Sequence, residues 1–215
     1  MCIRDSAYAV HDLYDEGDTL LNIYNECVKA GSPDLPIIFT STSKITFPGA
    51  GVAVEAASPN NVALLKGRMK YQTIGPDKLN QLRHARMFRT VSDIERHMKR
   101  HAAILRPKFE TVEKELQKQL GDTGVARWTT PKGGYFISLY VLEGCAKRVE
   151  QLCANAGMIL TPAGATYPYG TDPKDSNIRI APSYPSVEEI EKASEVLALA
   201  VRYAALEKLL SDKEN

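Results

Sequence analysis

Residues 37–56 read IIFTSTSKITFPGAGVAVEA. Ile37–Thr40 is a short apolar run and reads as a buried strand, and Val52–Ala56 reads as another. Between them, Ser41–Gly51 is a polar, glycine-rich connection that carries one lysine, Lys44. A long charged side chain placed between two strands must reach water or a partner. Its chemical use is Schiff-base formation, because a desolvated lysine is partly neutral near pH 7 and can attack a carbonyl. Serine hydroxyls beside it can donate to a phosphate. Taken alone, the segment is better explained as a solvated loop lysine among polar neighbours.

Working outward, strands alternate with helices. Upstream, Ala7–Leu13 reads as a strand end running into a loop. Thr19–Ala30 places Leu20, Leu21, Tyr24, Cys27 and Val28 on one helical face, with Gly31 at the C′ position. Downstream, Ser58-Pro59 reads as an N-cap followed by proline at the first helical position, opening a helix to about Met69. Gly75-Pro76 breaks the chain, and Asp77–Phe88 is a further short helix. A long amphipathic helix is expected from about Ser92 to Leu120, with Ile94, Met98, His101, Leu105, Phe109, Val112, Leu116 and Leu120 at helical spacing. Pro107 should bend it, and the helix is a candidate bridge between two domains.

Beyond Gly124 the texture turns to strand at Ala126–Trp128, Gly133–Val141, Met158–Thr161 and Asn177–Ala181, with a helix over Cys145–Ala156 ending at Gly157. Ser186-Val187-Glu188-Glu189 is a capping box. It opens a last helix to about Leu210, buried along Ile190, Ala193, Val196, Leu197, Ala200, Val201, Ala204 and Leu206. The whole is an α/β chain.

Composition narrows the function. The 215 residues are 44% hydrophobic and 25% charged, and 27 basic against 26 acidic residues leave a net charge of +1. That supports a buried core and gives no basic excess for nucleic acid. No apolar run approaches the roughly 18 residues of a membrane span, and Met1–Ser6 is polar, so a cytoplasmic location is expected. Cys2, Cys27, Cys145 and Cys153 form no CxxC pair, so neither a zinc site nor a disulfide framework is indicated. His97 and His101 have metal-compatible spacing, but no HExxH motif accompanies them, and surface or packed histidines are the better reading, as for His84.

Three further constellations join the lysine segment. Asp5-Ser6-Ala7-Tyr8 sets a carboxylate and a phenol with two residues between them. They could touch two edges of one aromatic ring, and an aspartate facing a pyridine nitrogen keeps it protonated, as an electron-sink cofactor requires. An ordinary terminal turn is the alternative. Asn177-Ile178-Arg179-Ile180-Ala181 places an arginine in an apolar strand, which is costly unless the guanidinium is paired, and a carboxylate fits its two-bonded fork. An edge-strand arginine reaching solvent is about as good a reading. Pro131-Lys132-Gly133-Gly134-Tyr135-Phe136 allows close backbone approach to a ligand, or is a hairpin turn.

In order along the chain, DxAY at 5–8, SxSK at 41–44, PxGGYF at 131–136, TPAGATY at 161–167 and NIRIAPSYP at 177–185 resemble the C-terminal half of class I/II (fold type I) pyridoxal-phosphate-dependent aminotransferases. The likeness is to an aspartate aminotransferase branch with an STSKITFPGAG segment. Members are about twice this length. The resemblance implies a remnant of the large parallel-sheet domain over 1–75, connecting helices over 76–120 and a small α+β domain over 121–215. It also implies an exposed sheet edge where strands of the large domain are missing.

The resemblance further implies a cofactor, pyridoxal 5'-phosphate, and roles for single residues. Lys44 would bond the cofactor and move the proton at the substrate Cα. Asp5 would pair with the ring nitrogen, Tyr8 would hydrogen-bond the ring oxygen, and Ser41 and Ser43 would hold the phosphate. Arg179 would clamp the α-carboxylate. Many members carry an arginine several residues after the lysine for the phosphate, whereas 47–52 here is Phe-Pro-Gly-Ala-Gly-Val. Thr46, backbone N–H groups or a second subunit would have to replace it. The implied partners are an amino acid, with aspartate or glutamate foremost, a 2-oxo acid and a second copy in a homodimer, with no nucleic acid and no membrane. The isolated chain is expected to be inactive. Two other readings stay open: an effector-binding module of a transcription regulator, and a lyase or decarboxylase on the same scaffold.

Overall fold

The computed structural model describes residues 2–214. It comprises two compact units, Met1–His101 and Ala102–Asn215.

In the first unit, β1 (Cys2–Asp5), β2 (Pro36–Ser41) and β3 (Ala53–Ala57) form one sheet in that order. β1 runs parallel to β2 with Asp5 opposite Phe39, and β2 runs antiparallel to β3 with Ser41 opposite Ala53. The first strand therefore ends at Asp5. Ala7–Leu13, read as a strand end running into a loop, holds no strand end and is turn and loop, closed by Ala9 N–H to Ser6 O and His11 N–H to Tyr8 O. β2 is buried only at Pro36 and Ile37, and Phe39 and Val54 stand exposed, so the sheet is half-covered rather than sandwiched.

α1 spans Ile23–Lys29, shorter than Thr19–Ala30. Asn22 explains the late start: its side chain accepts from Tyr24 and Asn25 N–H, capping the helix there. Leu20 and Leu21 consequently lie ahead of the helix and are exposed, and Cys27 alone of the expected face is buried. The C-terminus closes as expected, with Gly31 at φ 71° and Ser32 N–H reaching Cys27 O. α2 (Pro59–Met69) starts on Ser58, which caps Asn61 N–H. α3 (Lys78–Met87) starts on Asp77, which caps Asn80 N–H. α4 (Val91–Leu120) runs unbroken through Pro107, and the division between the units falls within it.

In the second unit, β4 (Ala126–Trp128), β5 (Ile137–Val141) and β6 (Asn177–Ile180) form an antiparallel sheet in that order. α5 (Ala146–Asn155) and α6 (Val187–Glu214) complete it with the C-terminal part of α4. Phe109, Leu116, Ile137, Leu139, Val149 and Val201 are almost fully buried and form the core. The capping box is present: Ser186 N–H donates to Glu189 Oε2 at 2.8 Å, and Glu189 N–H donates to Ser186 Oγ at 3.2 Å. Three local expectations differ. Residues 133–136 precede β5 rather than belonging to it, and 158–161 form no strand. Leu206 is exposed, because the inward stripe of α6 runs through Ala204 and Ala205.

Candidate functional site

The C-terminal ends of β1 and β2 bring the first constellations onto one edge. Because the two strands are parallel and Asp5 is in register with Phe39, Asp5 and Ser41 lie at the same end of the sheet. In open α/β sheets this end is where ligands bind. Asp5 is exposed, and its Oδ1 accepts Ala7 N–H at 3.0 Å. That bond shapes the turn that carries Tyr8, which is half-buried with its ring 6.0 Å from that of His11.

On β2 the chain leaves the sheet at Ser41 and enters a tight turn. Thr42 O accepts N–H from both Ile45 and Thr46 at 2.9 Å, which places Lys44 in the middle of the turn and exposed. Ser41 Oγ donates to Ser43 Oγ at 3.2 Å, so two hydroxyls sit together ahead of the amine. The return of the loop is pinned by Thr42 N–H to Val52 O and Val52 N–H to Thr42 Oγ1, both 2.9 Å. Gly51 is needed for this closeness, since a Cβ there would lie 3.0 Å from Ser43 Oγ and 3.2 Å from Ser43 N.

Histidines surround the loop, and sequence reading did not anticipate it. His84 is buried with Nε2 near the hydroxyls of Thr42 and Thr46, and His97 Nε2 lies 2.7 Å from Ile45 O. Carbonyl oxygens only accept, so His97 carries its hydrogen on Nε2 and receives Arg100 on Nδ1 at 3.1 Å. The His97 ring is 4.6 Å from His101, which in turn is 6.3 Å from His11. Burial, reinforced by His101, pulls His11 down to about 4. Burial, His97 and Arg100 pull His101 down as well. His11 and His101 therefore favour neutral imidazole. From sequence, His84, His97 and His101 read as surface or packed histidines rather than metal ligands, with no sign of which groups they would meet.

Arg179 belongs to the second unit, on β6 opposite Ser138. It is half-buried, its guanidinium carbon lies 4.6 Å from the Phe136 ring centroid, and its Nε is buried with no hydrogen-bond partner among the described residues. A buried, unmatched guanidinium N–H fits an anion supplied from outside the chain. Asn177 beside it donates to Ser138 Oγ at 2.8 Å and accepts Thr166 O–H at 2.7 Å, tying β6 to β5 and to the 161–167 loop.

Against this geometry, a profile of the aspartate amino-transferase family matches residues 1–213. The chain belongs to that family. An aspartate aminotransferase of Corynebacterium glutamicum is 47% identical over 205 residues, 95% of this chain and 48% of that protein. The crystal structure of an aspartate transaminase from Corynebacterium glutamicum matches with a TM-score of 0.91 at 46% identity, over 96% of this chain and 49% of that one. An α-aminoadipate aminotransferase from Thermus thermophilus, solved with N-(5'-phosphopyridoxyl)-L-leucine, shares the fold at 22% identity and a TM-score of 0.73. The architecture is therefore α/β, part of a fold type I aminotransferase, and the chain spans about half the length of the relatives it matches. Among the described residues no helix is long and apolar enough to cross a membrane.

A pyridoxal phosphate group suits the residues present. A carboxylate, a phenol, two adjoining hydroxyls and an amine follow the ends of parallel strands, which is the donor set that its ring nitrogen, ring oxygen, phosphate and aldehyde require. Thr46 is poorly placed to replace the missing phosphate arginine, because its hydroxyl already contacts Thr42 O at 3.2 Å and His84 Nε2 at 2.7 Å.

Proposed function

We propose that this chain is the C-terminal half of a pyridoxal 5'-phosphate-dependent aminotransferase that exchanges an amino group between an amino acid, aspartate or glutamate foremost, and a 2-oxo acid. The carrying observation is the placement of Lys44 at the centre of a pinned turn, on the sheet edge that also bears Asp5, in a chain whose family profile runs over residues 1–213.

When bound, the cofactor supplies an aldehyde for amines and a ring that accepts the electron pair released at the substrate Cα. The protein does the rest. Lys44 would hold the cofactor, and its amine would carry the proton to and from the substrate Cα. Asp5 keeps the ring nitrogen protonated through charge-assisted hydrogen bonding, and Tyr8 donates to the ring oxygen. Ser41 and Ser43 turn their hydroxyls to the phosphate. Arg179 would grip the α-carboxylate in a two-bonded fork. Retaining that carboxylate favours transamination over decarboxylation.

The same reading makes the working protein a cytoplasmic homodimer of longer chains, with no nucleic acid or membrane partner, and the 215 residues alone inactive. In an enzyme carrying these residues, aspartate should convert the bound cofactor to its amine form, 2-oxoglutarate should restore it, and Lys44→Ala should abolish both. Absence of amino transfer from aspartate and glutamate alike refutes the substrate class. Sustained turnover by the 215 residues alone refutes the proposed inactivity.

A further inference from the structure

We propose that His84 is a positioning residue for Lys44: one buried imidazole on α3 gathers the two threonine hydroxyls that flank the lysine and so sets the direction in which its amine leaves the turn. The inference rests on the assignment of Lys44 as the cofactor lysine.

The turn needs external support. Ser43 and Lys44 at its centre are exposed, and a short exposed turn opens readily unless its flanks are held; His97 Nε2 holds Ile45 O at 2.7 Å on one side. Further support comes from α3. His84 Nδ1 lies 2.8 Å from Asn80 O, which can only accept, so the ring hydrogen sits on Nδ1. In the neutral ring Nε2 is then an acceptor, 2.7 Å from Thr46 Oγ1 and 3.1 Å from Thr42 Oγ1. Thr42 Oγ1 already accepts Val52 N–H, which leaves its own hydrogen to donate. Thr46 can donate to Thr42 O at 3.2 Å or to His84 at 2.7 Å, and the shorter contact is to the ring.

Thr42 and Thr46 stand two residues either side of Lys44, so a single nitrogen holds both shoulders of the turn. One helical turn earlier, Asn80 donates to Gly51 O at 3.0 Å and holds the far end of the same loop. Phe47 packs its ring edge-on to His84 at 5.7 Å. A leucine at 84 would fill similar space but offer neither threonine hydroxyl an acceptor. The arrangement therefore buries a polar ring to fix a loop, not to build a core.

The test compares wild type with His84→Phe, which keeps a ring against Phe47 but removes both nitrogens, and His84→Gln, which returns an amide oxygen near the position of Nε2. Two quantities are read on the 215-residue chain: amide hydrogen exchange at Ile45 and Thr46, and the share of borohydride-fixed pyridoxal phosphate label on Lys44 relative to the exposed Lys66. In His84→Phe, exchange should rise and the Lys44 share fall, each by about tenfold or more, and His84→Gln should recover most of both. Either quantity within about twofold of wild type in a folded His84→Phe protein overturns the proposal. So does a glutamine variant as impaired as the phenylalanine one, which would assign the effect to packing. If His84→Phe does not fold, Thr46→Val carries the same thresholds. If wild type places no label on Lys44, the assignment of Lys44 as the cofactor lysine fails, and the exchange data alone then decide whether His84 holds the turn.

Discussion

The guanidinium of Arg179 lies over the ring of Phe136, with its carbon 4.6 Å from the ring centroid and its Nε buried without a hydrogen-bond partner among the described residues. Stacking orients the planar group while leaving its edge for an anion. Arg179→Ala should weaken binding of the 2-oxo acid by about 2–5 kcal/mol, seen as a raised Michaelis constant in an enzyme carrying this chain. Arg179→Lys should recover little, because an ammonium cannot make the two-bonded fork. An unchanged Michaelis constant in Arg179→Ala removes this residue from the site.

His11 makes stability depend on mildly acid pH. Its folded value is drawn down to about 4, first by burial and then by His101. The folded ring resists protonation that the unfolded ring accepts near pH 6.5, so stability present above about pH 6.5 is lost as pH falls towards 4. After allowance for solvent screening the loss should be roughly 1–2 kcal/mol. Denaturant titrations of wild type and His11→Phe across that window measure it as a difference. Parallel curves for the two proteins would contradict the assignment.

Asp172 organises the approach to β6. Its Oδ2 accepts Ser176 and Asn177 N–H at 2.8 Å each, and its Oδ1 accepts Lys174 N–H at 3.0 Å. Burial alone would raise its pKa, but these backbone donors prevail and hold it below the ordinary carboxylate value. Its contribution is therefore present at neutral pH and is lost as pH falls through that lowered value. Asp172→Ala should cost about 1–3 kcal/mol in chemical denaturation at pH 7, and Asp172→Asn somewhat less. A change below about 0.5 kcal/mol would show that the turn holds itself.

Cys153 is fully buried on α5, and burial pushes its thiol up to about 11. Iodoacetamide at pH 8 should leave it unmodified in the native protein and label it after unfolding, as mapped by mass spectrometry. Complete native labelling would contradict its burial.

Signals confined to a few neighbouring residues were legible in the sequence. Ser58-Pro59, Gly31 and the Ser186–Glu189 box each act within one turn of helix, and α4 announced itself by the recurrence of Met98, Leu105, Phe109, Val112 and Leu116. Leu20 and Leu21 misled because apolar spacing continues past Asn22, whereas the backbone obeys the cap. Met158–Thr161 is apolar enough for a strand but pairs with none. Among the candidate site residues, Arg179 was visible as a charge in an apolar strand, and Lys44 as a lone lysine in a polar connection between two strands. The histidines around the lysine were not, because His84 meets Thr42 and Thr46 across about forty residues and only folding brings them together.

The most direct measurement reduces the protein with borohydride in the presence of pyridoxal 5'-phosphate and locates the label by peptide mapping. The predicted result is a phosphopyridoxyl group on Lys44, absent in Lys44→Ala and diminished in Asp5→Ala. Label spread over surface lysines, or fixed on another lysine and unaffected by loss of Lys44, would contradict the central claim.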